Sequence, residues 1–154
     1  KAGWSQPAPQ GIGRGVAVHA CFGSVVAQVV EVSVDLRTIS VRKVYVAVDC
    51  GTAVDSALVH TQMESSIAQA LGAVLRQEIT ISGGRVNQTT LNECQPLTMR
   101  EMPAVETFIV PSTAAPGGVG EPGVPPLAPA VANAVFALTG TRLRSMPLRL
   151  PENA

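Results

Sequence analysis

Valine dominates the first third of the chain: Val16 and Val18, then Val25, Val26, Val29, Val30, Val32 and Val34. β-branched side chains suit the pleated, half-buried surface of a sheet, so this run predicts strands. Gly23-Ser24 interrupts it, and Asp35-Leu36-Arg37-Thr38 reads as a turn. Over residues 39–50 apolar and polar positions alternate, and the period of two assigns Val41, Lys43, Tyr45, Ala47 and Asp49 to one face. Two or three antiparallel strands are expected here.

The period changes at residues 52–56. Val59, Met63, Ile67, Leu71 and Leu75 recur every four residues, with Ala70 and Val74 beside them. That is the apolar stripe of an amphipathic helix, and Asp55 or Ser56 can cap its free amides. Ser65, Gln69 and Gly72 lie on a different face, one suited to close packing against another element or a ligand. Residues 78–82 and 85–89 flank Gly83-Gly84 as a hairpin, 91–103 are irregular, and 105–110 form a last core strand. A Gly/Pro loop over 111–123 leads to a helix over 126–139, with Leu127, Val131, Ala134, Val135 and Leu138 apolar. Prolines are tolerated in the first turn of a helix, and Gly140 stands where a terminating glycine belongs. With residues 1–13 as an irregular N-terminal arm, the fold class is α+β: twisted, mostly antiparallel strands with two principal helices.

Composition changes this picture in one respect. The 154 residues make about one domain, but charged residues are only 14%, against roughly 25% in average soluble domains. A domain wetted on every side needs more charge than this, so much of the surface is expected to lie against other protein. The net charge is zero and no basic stripe appears, which argues against a nucleic-acid partner. No apolar run approaches the roughly 18 residues of a membrane span. Cys21, Cys50 and Cys94 lack the spacing of a metal site and read as reduced thiols, with one disulfide left open.

The candidate chemistry sits in Gly117-Gly118-Val119-Gly120-Glu121-Pro122. Glycines allow a ligand to approach the backbone closely, and Pro122, Pro125, Pro126 and Pro129 stiffen the exit. Alone, such a loop is usually only a surface connection. His19 reads as a core histidine on a strand, His60 as solvent-facing, and Glu64 and Glu101 as ordinary carboxylates. Gly11-Ile-Gly-Arg-Gly is not a dinucleotide loop, because no strand precedes it and no helix follows.

Residues 117–137 (GGVGEPGVPPLAPAVANAVFA) resemble the C-terminal signature of the large subunit of molybdenum hydroxylases, the xanthine oxidase and aldehyde oxidase superfamily. The isoquinoline 1-oxidoreductase beta-subunit branch is the nearest in pattern. Residues 15–32 (GVAVHACFGSVVAQVVEV) resemble that family's paired strands. Val48-Asp49-Cys50-Gly51, Gln62-Met63-Glu64 and Gln69-Ala70-Leu71-Gly72 resemble its strand-to-helix junction. Met99-Arg100-Glu101-Met102-Pro103 and Ile109-Val110-Pro111-Ser112-Thr113 resemble the approach to its glutamate loop. The blocks fall in the family's order over nearly the whole chain.

The resemblance implies that residues 1–154 are the C-terminal portion of a molybdopterin-binding domain, at the end of a much longer subunit. It implies that Glu121 is the general base, taking a proton from a hydroxide on molybdenum while water supplies the oxygen. That role needs a carboxylate within hydrogen-bond reach, in a dry site. It further implies that Gln69 contacts the pterin and that Gly118, Val119 and Gly120 present backbone amides to the cofactor. The implied cofactor is molybdopterin cytosine dinucleotide, shared with the remaining N-terminal part of the large subunit. A partner small subunit would carry two-iron clusters, and the substrate would be an aldehyde or N-heteroaromatic compound. The rival reading is a non-catalytic structural or docking fragment. Asp55-Ser56, Glu64-Ser65-Ser66 and Asn92-Glu93-Cys94-Gln95 replace commoner family residues, so the resemblance does not fix which substrate is used. The glycine-rich cofactor segments of the family's earlier domains are absent from these residues.

Overall fold

A computed structural model describes residues 1–151. Strands β1 (Gly13–Cys21), β2 (Ser24–Asp35) and β3 (Thr38–Asp49) form an antiparallel meander, and β6 (Ala104–Ile109) pairs in parallel with β3, giving the order β1-β2-β3-β6. A parallel pair needs a long crossover, and helix α1 (Ser56–Leu75) lies within it. Helix α2 (Leu127–Thr139) follows β6. The class is α+β with a mixed sheet.

Both helices cover one face of the sheet. Val26, Val30 and Val32 of β2 and Val44, Val46 and Val48 of β3 are fully buried there, beneath Met63, Ile67 and Leu71 of α1 and Leu127, Val131 and Val135 of α2. Asp55 caps α1, its Oδ1 accepting from the Leu58 N–H at 3.1 Å. Gly140 ends α2 with φ 74°. Gly13 and Gly15 have a packing role: a Cβ at either would strike the backbone of Ala134 or Ala130, so α2 lies directly on β1.

Four expectations are corrected. Val41 does not share a face with Lys43. Glu31 pairs with Lys43 but Val32 pairs with Val41, so Arg42 is the extra residue of a β-bulge, and Val41 joins Val44 and Val46 in the core. The first turn is Phe22-Gly23, with φ 54° and 76°, and Ser24 already belongs to β2. His19 is exposed, because α2 begins near the level of Gly15 and the end of β1 overhangs it. The hairpin after α1 shrinks to β4 (Ile81–Ser82) and β5 (Arg85–Val86), all exposed, since no apolar layer covers it. The three thiols are free, Cys50 buried and the others half-buried.

Candidate functional site

The loop over 110–126 crosses the end of the sheet where the Phe22-Gly23 turn and the end of β3 meet. Its fastenings run nearly residue by residue. Val110 N–H donates to Val48 O at 2.8 Å, the N–H and Oγ1 of Thr52 both donate to Ala114 O at 3.0 Å, and Gly117 N–H donates to Cys50 O at 2.8 Å. The hairpin turn directs the Phe22 carbonyl at the loop, where Gly118 N–H donates to it at 2.7 Å. Ser24 Oγ donates to Gly118 O at 2.8 Å, and Gln28 Nε2 donates to Gly123 O at 2.6 Å. A turn closes over the last part, with Val124 N–H donating to Glu121 O at 3.0 Å.

Between these fastenings the chain presents Val119, Gly120 and Glu121. Glu121 is exposed, and its carboxylate makes no hydrogen bond or ion pair among the described residues. Gly117 must be glycine, since a Cβ there would lie 2.5 Å from Ser24 Oγ and 2.6 Å from Gly23 O. Gly120 differs. Its backbone is not left-handed, and a Cβ would meet nothing within 4 Å. Nothing among the described residues requires glycine there.

Gln69 is exposed on α1 and its amide makes no hydrogen bond among the described residues. It stands one helical turn beyond Ser66, and Ser66 touches the loop: a Cβ on Gly123 would lie 2.9 Å from Ser66 Cβ and 3.4 Å from Met63 Sδ. The structure thus brings the helix of Gln69 to the loop of Glu121, without direct contact between the two side chains. The Gly118 N–H is taken by Phe22, whereas those of Val119 and Gly120 have no partner among the described residues.

Sequence reasoning missed Ser24, Gln28 and Ser66. All three are buried, and the available signal was a polar residue in the inward register of a valine strand, Val26-x-Gln28-x-Val30. No group of three or more His, Cys, Asp or Glu could hold a metal ion among the described residues. No described helix is long and apolar enough to cross a membrane. A cleft of about 430 Å³ lies at the opposite end of the sheet, lined by Arg37, Arg42, Arg76, Arg100 and Arg149, and neither Glu121 nor Gln69 reaches it.

Residues 5–103 match the family of molybdopterin cofactor-binding domains. The chain is 37% identical over 123 residues to a membrane-bound aldehyde dehydrogenase [pyrroloquinoline-quinone] of Gluconacetobacter polyoxogenes, covering 79% of this chain and 16% of that protein. It is 32% identical over 147 residues to isoquinoline 1-oxidoreductase subunit beta of Brevundimonas diminuta, covering 94% of this chain, the glutamate loop included, and 19% of that subunit. The chain therefore spans less than a fifth of the length of either relative. Its fold is similar to that of quinoline 2-oxidoreductase from Pseudomonas putida 86, with TM-score 0.74 and 24% identity over 80% of this chain and 17% of that one. The family match, the two relatives and the shared α+β architecture agree: the chain belongs to the molybdopterin cofactor-binding domain family, whose members similar to it include molybdenum hydroxylases such as isoquinoline 1-oxidoreductase subunit beta.

Proposed function

We propose that residues 1–154 form the C-terminal portion of the molybdopterin-binding domain of a molybdenum hydroxylase, and that Glu121 is its general base. The observation that carries this reading is an exposed, unpaired carboxylate on a loop fastened on both sides. Beside it stands a glycine for which the chain itself has no use.

These residues fit a cofactor. Gly120 leaves space that no Cβ fills, the N–H groups of Val119 and Gly120 can donate, and the Gln69 amide can donate and accept at a pterin edge. Gly118 contributes through its missing side chain, because its N–H serves Phe22 and a Cβ would lie 2.9 Å from Phe22 Cβ. When bound, molybdopterin cytosine dinucleotide supplies oxygen transfer and accepts the two electrons of the oxidation. Glu121 accepts the proton released from the water-derived oxygen, at a carboxylate whose supporting loop needs no rearrangement. The remaining N-terminal part of the large subunit covers the site and excludes water. A partner subunit with two-iron clusters carries the electrons away, and the substrate is an aldehyde or N-heteroaromatic compound.

The test is Glu121→Gln in the assembled enzyme. The variant keeps the shape and loses the base, so molybdenum content stays normal while reduction by substrate in a single turnover slows by roughly 10²–10⁴-fold. Reduction at the normal rate would remove Glu121 from the mechanism.

A further inference from the structure

The buried polar or charged side chains among the described residues are Ser24, Gln28 and Ser66, exposed by 1%, 0% and 3%. All three converge on one loop. Ser24 holds the Gly118 carbonyl at 2.8 Å and Gln28 holds the Gly123 carbonyl at 2.6 Å. Ser66 abuts Gly123 from the other side, its Oγ 3.3 Å from where a Cβ would stand. We propose that these side chains form a polar clamp that positions Glu121, with Ser24 and Gln28 as its two jaws. The inference rests on the reading of Glu121 as base.

The physical case begins with cost. Inward positions along β2 read Ser24, Val26, Gln28, Val30 and Val32, and a fourth apolar side chain at 28 would fill the row without desolvating an amide. Burying an amide is unfavourable unless it is hydrogen-bonded. The Gly123 carbonyl, 95 residues away in sequence, is the partner that offsets this for Nε2. That bond also fixes the amide's orientation, since the flipped form would set two oxygens against each other. Oε1 then points inward with no partner, and Ser66 Oγ, on the far side of Gly123, has none either. The amide is thus kept at a position where an apolar side chain would fit, and the one partner the fold gives it is the carbonyl of the glutamate loop.

The geometry of the constraint is clear. Ser24 and Gln28 lie on the same face of one strand, four residues or roughly 13 Å apart. They grip the carbonyls that bracket residues 119–122. Glu121 therefore stands on a short bridge whose two ends are set by a single rigid strand. Neither jaw touches the carboxylate, so both act through the backbone.

The test uses the assembled enzyme and compares Gln28→Met, Ser24→Ala and each of these combined with Glu121→Gln. Gln28→Met fills the same space without a donor. The expected result is normal molybdenum content and substrate affinity, with single-turnover reduction slower by roughly 10²-fold, the scale of a small misplacement of a reacting group. Amide hydrogen exchange over 117–124 should quicken. In the Glu121→Gln background neither jaw variant should slow the reaction further, because a clamp acting through Glu121 has nothing left to position. A normal rate with unchanged exchange in Gln28→Met would overturn the proposal, as would an equal loss in the Glu121→Gln background. Ser24→Ala leaves the valine row untouched and decides the matter if Gln28→Met fails to fold. A normal rate in Glu121→Gln alone would instead defeat the assignment of the base, while the exchange data would still report whether the clamp exists.

Discussion

Ser66 and Gly123 meet where helix α1 touches the glutamate loop, and a Cβ on Gly123 would lie 2.9 Å from Ser66 Cβ. Neither side has room to withdraw, because Ser66 is 3% exposed and the same Cβ would also lie 3.4 Å from Met63 Sδ. Gly123→Ala should therefore destabilise the fold by about 1–3 kcal/mol, the usual cost of overpacking. Denaturant unfolding of the variant checks this. Combining it with Ser66→Gly should recover part of the loss.

Gly117 and Gly120 separate two reasons for glycine in one loop. Gly117→Ala meets Ser24 Oγ and the Gly23 carbonyl and should lower the melting temperature. Gly120→Ala meets nothing within 4 Å and should leave the melting temperature of the isolated chain unchanged. In the assembled enzyme the same Gly120→Ala change should lower molybdenum content, because the added methyl occupies the space proposed for the cofactor. Normal metal content in Gly120→Ala would place the cofactor elsewhere.

The sheet face away from the helices carries Val16, Val18 and Val25 exposed at 40%, 64% and 44%, with Phe22 exposed at 61% in the adjoining turn. Ion pairs flank it, Arg14 with Glu31 at 2.8 Å and Lys43 with Glu106 at 2.9 Å. β1 is also an edge strand with one side unpaired, the usual template for association. The isolated chain should self-associate as its concentration rises in sedimentation experiments. Val18→Lys should suppress this without changing the melting temperature.

Glu101 titrates below the ordinary carboxylate value. The Thr98 hydroxyl contributes most, followed by the Thr98 N–H and the Arg76 guanidinium, which also forms an ion pair with it. A depressed folded-state value means that the stabilisation is present above the unfolded pKa and is lost as pH falls through the folded one. Glu101→Gln should therefore flatten the acid limb of the stability-versus-pH curve and leave its neutral and alkaline parts parallel to the parent. An unchanged acid limb would show that the Thr98 hydrogen bonds and the Arg76 ion pair of Glu101 together contribute nothing to folding.

The elements were legible because their periods are clean: the four-residue repeat from Val59 to Leu71 and the valine runs could hardly form anything else. The bulge was written less openly. Arg42-Lys43, two consecutive polar residues between Val41 and Val44, marks the point where alternation slips by one. His19 defeated its reading because strand propensity carries no information about where a covering helix begins. The glutamate loop could be located from its glycines and single carboxylate, but its fastenings could not. Ser24 and Gln28 reach it from the opposite end of the chain, and only the folded topology joins them.

Timing follows from the two bonds between β2 and the loop. They join residues 94 and 95 positions apart. At a synthesis rate of about 5–20 residues per second, Gln28 leaves the ribosome roughly 5–20 s before Gly123. Until then the inner face of β2 lacks both the Gly123 carbonyl that Gln28 binds and the α2 side chains that pack on its valines, so the carboxylate loop and the helix after it are the pieces that close the sheet.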